Sequence, residues 1–215
     1  MRIKEKLKNR SGFTLAETLL AVLILLLVSV IVANGIPVAQ NVYNNVIIGA
    51  NAEMLLSTTV TGLRNELGTA QKIEIDSNNN IIYYKAEIGA YSMLSPDLVD
   101  NGKHQGIQLL EYVYEKEDST TGKKTWEPIP NGGNTRTSYP LVSNAASNKD
   151  LYITYSAKNG TPAIEIDPSN PDVIIFHNLE VKRNMGSDAI IASLDELKIR
   201  LTPVSPDAKD GEINE

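Results

Sequence analysis

Arg10-Ser11-Gly12-Phe13-Thr14-Leu15-Ala16-Glu17-Thr18-Leu19 joins a basic head to a long apolar run, and one acid stands inside that run. Between Phe13 and Ala52 the only charged residue is Glu17. Residues 13–33 would measure about 31 Å as a helix, which matches a bilayer core of about 30 Å. Basic residues ahead of such a run stay on the cytoplasmic side, so the chain is expected to enter a membrane with its N-terminus inside.

Two readings of this segment compete. In one it is an ordinary secretory signal, with a small-residue cleavage site after Ala33. In the other it is kept as a membrane helix. A carboxylate costs about 2.5–3.5 kcal/mol at the centre of a membrane helix, and an ordinary signal has no use for it. An intramembrane acid usually has a partner. Were the chain cut between Gly12 and Phe13, the new amine of Phe13 would supply one to Glu17 of a neighbouring helix. Glycine suits a cut there because it lets the backbone extend into a protease cleft.

The stretch Lys8-Asn9-Arg10-Ser11-Gly12-Phe13-Thr14-Leu15-Ala16-Glu17, followed by its apolar run, resembles the class III signal of type IV pilins and type II secretion pseudopilins. The resemblance spans residues 1–67. It implies cleavage after Gly12 and N-methylation of Phe13, both by a prepilin peptidase/methyltransferase. It also implies pairing of Glu17 with the terminal amine of an adjacent subunit, which sets register during assembly. The implied partners are that enzyme, other pilin subunits in a homo- or heteropolymer, an inner-membrane assembly platform and membrane lipid. The implied location is a single-pass membrane protein with its head outside, then a cell-surface or periplasmic filament.

Composition limits the rest. The 215 residues allow one ordinary domain and an appendage. The first twelve residues hold five basic side chains and one acid, net +4, whereas the remainder holds 15 basic and 25 acidic, net −10. A body this acidic lacks the basic footprint of nucleic-acid binding. Without cysteine there is no disulfide framework and no thiolate metal site.

Beyond the membrane segment, Gly35-Ile36-Pro37 predicts a kink or local melting of the helix, because proline removes a backbone hydrogen bond. Val42, Val46, Ala50, Leu56, Val60, Leu63 and Leu67 recur mostly at steps of three and four, the period of an amphipathic helix expected to end near Gly68. Continuous from Phe13, that helix would be about 82 Å long.

After Gln71 the period shortens to two. Ile73 and Ile75, a turn at Ser77-Asn78-Asn79-Asn80, then Ile81-Ile82-Tyr83-Tyr84 predict a hairpin. Leu110, Tyr112 and Tyr114 are expected on one strand face, opposite Glu111 and Glu115. Leu151-Ile153-Tyr155 and Ile164-Ile166 give further strands. Ile175-His177-Leu179-Val181 and Leu197-Ile199-Leu201 predict two strands, each with one face on the helix. The polar connections 95–106, 118–150 and 184–188 read as loops, the second being a surface excursion that carries the lone Trp126.

The expected organisation is thus a leader at 1–12, a transmembrane helix at 13–34, its amphipathic continuation at 35–70, a β-rich head at 71–203 and an acidic disordered tail at 204–215. The fold class is α+β, a long N-terminal helix packed against an antiparallel sheet, which is also the pilin-like fold that the resemblance implies.

No catalytic residue, metal ligand or cofactor is expected. Only His104, in a polar loop, and His177, on an apolar strand face, could act as imidazole bases, and no hydrolase, zinc-protease or phosphate-loop pattern occurs. Asp76-Ser77-Asn78-Asn79-Asn80 begins like a calcium loop but lacks its glycine and closing acid, so a hairpin turn explains it better. Asp167-Pro168-Ser169-Asn170-Pro171-Asp172 reads as a proline-set turn, and Asn159-Gly160-Thr161 as an N-G turn rather than a glycosylation site. The functional expectation is a filament subunit whose candidate residues are Gly12, Phe13 and Glu17, with Gly35 and Pro37 at a helix kink. The alternative is a membrane-anchored extracellular binding or sensor domain that does not polymerise.

Overall fold

The computed structural model describes residues 14–117, 119, 122, 124–130, 136–142, 150–184 and 189–202. The expected leader, its cleavage residue Gly12, Phe13, residues 185–188 and the 204–215 tail lie outside them. The chain divides into two compact units, Met1–Ile47 and Ile48–Glu215.

In the first unit the described chain is helical from Leu15 onward, as part of α1 (Leu15–Gly68). Every residue from Thr14 to Val46 is exposed. The helix is long and apolar enough to cross a membrane. Two of its hydroxyls bond back to the helix: Thr18 Oγ1 donates to the Leu15 carbonyl at 2.9 Å, and Ser29 Oγ to that of Leu25 at 2.7 Å. Of the expected kink or local melting at Gly35-Ile36-Pro37, no break in the helix is seen, since α1 continues through Gly35 and Pro37. One missing backbone bond does not end a helix whose bonded turns continue on both sides.

The second unit contains the end of α1 and the strands β1 (Ala70–Ile75), β2 (Ile81–Lys85), β3 (Ala90–Ser95), β4 (Val99–Asp100), β5 (Lys103–His104) and β6 (Gln108–Glu117). After them come β7 (Lys124–Pro128), β8 (Tyr139–Pro140), β9 (Leu151–Tyr155), β10 (Ile164–Ile166), β11 (Val173–Arg183) and β12 (Ala192–Arg200). All ladders are antiparallel. The first sheet runs β1-β2-β3-β6-β7, with β8 also on β6. The second is centred on β11, flanked by β12 on one edge and by β9 and β10 in succession on the other. The expected class, α+β, holds, but two principal sheets replace the one anticipated.

Both sheets and the helix share a core. Ala52, Leu55, Leu56, Leu63 and Leu67 cluster with Ile81, Tyr83 and Leu94 of the first sheet and with Ile174, Phe176, Leu179 and Ile199 of the second. Each fully buried Leu, Ile or Phe stabilises the fold by about 1.5–3 kcal/mol. Of the amphipathic stripe read from sequence, Leu56, Leu63 and Leu67 are buried and Val60 packs against the cluster. Val42, Val46 and Ala50 are instead exposed. About 100° per residue places Ala50 some 160° round the helix from Ala52, so its stripe is a different one. α1 ends at Gly68, whose carbonyl accepts a hydrogen bond from the Thr202 hydroxyl.

Two strand faces differ from expectation for one physical reason. At Tyr112 (φ 60°) an extra residue is inserted, since Ser92 faces Glu111 while Tyr91 faces Val113. Val113 therefore takes over the face of Leu110, and Tyr112 turns out beneath Arg136, whose guanidinium carbon lies 3.9 Å from the ring centre. In β11 the left-handed Asn178 (φ 51°) changes the phase likewise. Ile174 and Phe176 face the core before it and Leu179 and Val181 after it, so Ile175 and His177 lie off the core cluster. Trp126 is not on a surface excursion either. It belongs to β7, opposite Glu115, and its ring centre lies 5.1 Å from that of Tyr91.

Candidate assembly site

Thr14 is the N-cap of α1 and Glu17 its third helical residue. The Glu17 backbone N–H donates to Thr14 Oγ1 at 3.3 Å, while Glu17 Oε2 accepts from the Thr14 backbone N–H at 2.9 Å and from the Thr14 hydroxyl at 3.1 Å. This reciprocal arrangement is a capping box. It satisfies two amides that the start of a helix leaves without partners, and it sets a negative side chain at the positive end of the helix dipole. The T-x-x-E spacing that forms it is plain in the sequence. The intramembrane-acid reading treated Glu17 as lacking any partner of its own and so overlooked Thr14.

The cap uses one carboxylate oxygen. Glu17 Oε1 has no hydrogen-bond partner among the described residues. Glu17 can therefore hold its own helix start through Oε2 and offer Oε1 to a second group. The two residues that the sequence puts beside it, Gly12 and Phe13, lie outside the described residues.

In the head both histidines are engaged structurally. His104 Nδ1 bonds the Asp97 carboxylate, and the imidazole stacks on Tyr152 with centres 4.4 Å apart and planes within 9°. The His104 N–H donates to Asn184 Oδ1 at 2.8 Å, and Asn184 Nδ2 donates back to the His104 carbonyl at 2.9 Å. His104 is thus a clamp between β5 and the second sheet rather than a free loop residue. Gly106 completes the clamp: its N–H donates to Asp97 at 2.8 Å, and at φ 75° an added Cβ would stand 3.0 Å from the Ile153 carbonyl oxygen. His177 Nε2 lies 3.2 Å from Glu165, and its side chain is mostly buried.

Glu180, expected on the water-facing side of its alternating strand, is instead buried between Lys158 at 3.4 Å and Lys182 at 2.8 Å. Nothing in its alternating strand separates it from an exposed acid; only the fold covers it. No group of three or more His, Asp or Glu side chains able to hold a metal occurs among the described residues. Asp76 is taken up by its own turn, accepting from the N–H groups of Asn78 and Asn80 at 2.8 Å each. Asn159-Gly160 forms the expected tight turn, with φ of 53° and 83° and paired bonds between Lys158 and Thr161.

No protein-family model matches the chain, and no curated protein or solved structure matches it either.

Proposed function

We propose that this chain is a structural subunit of a type IV pilus-like or pseudopilus filament, cut after Gly12 by a prepilin peptidase, N-methylated at Phe13 and assembled through its N-terminal helix. The resemblance at Lys8–Glu17 supports the reading. The observation that carries it is Glu17 Oε1, without a hydrogen-bond partner among the described residues, beside the start of a helix whose apolar residues are exposed from Leu15 to Val46. That much contiguous apolar surface needs lipid or other helices to cover it. A terminal amine on Phe13 of a neighbour would meet Oε1 of Glu17, and a helix inserted out of register would leave that charge unpaired at a cost of several kcal/mol. The mechanism is assembly and not catalysis.

The capping box favours a second reading. Thr14 already gives Glu17 a role in an isolated helix, so a membrane-anchored extracellular domain that never polymerises also accounts for the acid. Glu17→Gln separates the two. Glutamine at this position keeps the capping box but removes the charge. In the filament reading the Gln variant is processed after Gly12 yet gives few or no sheared filaments, as does Glu17→Ala. Filaments at the parental level from Glu17→Gln would remove the pairing mechanism, and the absence of this chain from filaments of the parental strain would favour the anchored domain.

A further inference from the structure

The face of the first sheet turned away from the core carries Glu74, Ile82, Tyr84, Tyr91 and Met93, paired across successive strands. Past the insertion at Tyr112, β6 and β7 continue this face through Glu115 and Trp126. Residues from both ends of the sheet, Glu74 and Asp76 at one and Lys124 and Trp126 at the other, line a single cleft of about 290 Å³ floored by Met93. The face is therefore concave. Small-molecule sites begin at about 300 Å³, so this cleft suits a ligand of one or two rings.

We propose that the cleft binds a neutral saccharide, with a pyranose ring stacked on Trp126 and its hydroxyls on Glu74 and Asn78. The charges in the wall are mixed. An anion would meet the carboxylates of Glu74 and Asp76, and a cation would meet the Lys124 ammonium, which Glu115 holds at 2.7 Å. Asp76 is already committed: Oδ1 accepts from the backbone of Asn78 and Asn80, and Oδ2 from the Asn80 carboxamide at 2.8 Å. The Glu74 carboxylate and the Asn78 carboxamide have no hydrogen bond among the described residues. One accepts, and the other both donates and accepts, which complements hydroxyl groups that do both. Trp126 supplies the apolar surface. Its indole is half-buried and set against Tyr91, which Tyr84 holds edge-on at 5.2 Å, so a plane for the C–H face of a sugar is already fixed. The inference is independent of how the chain is anchored and of whether it polymerises.

Trp126 is the only tryptophan, so indole fluorescence of the full chain reports this cleft alone. The protein is titrated, in a detergent without a sugar headgroup, with glucose, galactose, mannose, their N-acetylamino forms, lactose and cellobiose. At least one is expected to shift the emission saturably with a Kd on the order of 1 mM. Glu74→Gln and Asn78→Ala, whose side chains make no bond that the fold needs, are expected to weaken that sugar about tenfold with the thermal midpoint unchanged. No saturable response to any of these sugars overturns the proposal. So does a response to tetramethylammonium or Ca²⁺ in place of sugar, or sugar affinity unchanged in both variants.

Discussion

Glu17 is bonded through Oε2 to Thr14, and its Oε1 has no partner among the described residues. The first pins the start of a helix whose leading amides have no other acceptor, a contribution of about 1 kcal/mol from the cap. In the proposed assembly, the second is the oxygen that would meet a neighbour's terminal amine. Thr14→Val removes the hydroxyl that accepts from the Glu17 amide, and leaves the carboxylate with only the Thr14-position N–H. Faster amide exchange over the first turn of α1 in a detergent-bound sample is expected, at constant exchange elsewhere. An unchanged first turn would show that the cap contributes nothing measurable.

Among the elements, the strands depart from a plain alternation wherever one residue adopts a left-handed backbone. Lys72, Tyr112 and Asn178 do so at φ 48°, 60° and 51°. Asn178 is the most telling, because it lies in the central strand of its sheet and moves the core face from Ile174 and Phe176 to Leu179 and Val181. Asparagine tolerates this conformation, whereas a β-branched residue pays roughly 1–2 kcal/mol for it. Asn178→Val is therefore expected to lower the thermal midpoint, followed by Trp126 fluorescence, while Asn178→Gly stays near the parent. Equal loss in both variants would place the cost in the weak Asn178 to Ser156 bond of 3.4 Å and not in the backbone. These positions also mark the limit of what the residues disclose. The hairpin at Asp76–Asn80, the Asn159-Gly160 turn and the helix end at Gly68 were legible because local turn chemistry fixes them. Tyr112 and Asn178 were not, because a period of two says nothing about where it slips. The two-sheet arrangement and the place of Trp126 depend on pairings distant in sequence. At the candidate site Gly12 and Phe13 lie outside the described residues, and the cap of Glu17 through Thr14 was hidden behind the question of the unpaired acid.

At the scale of the whole molecule, the second unit is held by burial and polar ties without a disulfide, since no cysteine is present. A tie from helix to sheet by charge is Glu66, which accepts from the Tyr83 hydroxyl at 2.6 Å and from Lys85 at 2.9 Å, all largely shielded from water. Burial, reinforced by Glu66, pushes the Tyr83 phenol far above its usual range, and burial does the same to Tyr155. Burial and the nearby Glu111 push Tyr139 up to about 12. Unfolded tyrosine loses its proton near pH 10. Each folded phenol stays protonated above that point, so its stabilising contribution is complete below about pH 10 and shrinks as pH rises through the interval above it. The thermal midpoint is expected to fall steeply between about pH 10 and about pH 12, and less steeply in Tyr83→Phe. A profile for Tyr83→Phe that parallels the parent would mean this phenol does not carry the alkaline transition.

The first unit is different, with an apolar helix exposed from Thr14 to Val46 and a polar start organised around Glu17. Its proposed use depends on an amine that exists only once the chain has been cut between Gly12 and Phe13. Intact-mass and N-terminal peptide analysis of the chain recovered from its native membrane or filament tests this most directly. The filament account predicts a mature chain that begins at Phe13 and carries one added methyl on its terminal nitrogen. A chain still beginning at Met1, or one beginning at Asn34 after cleavage behind Ala33, would contradict it.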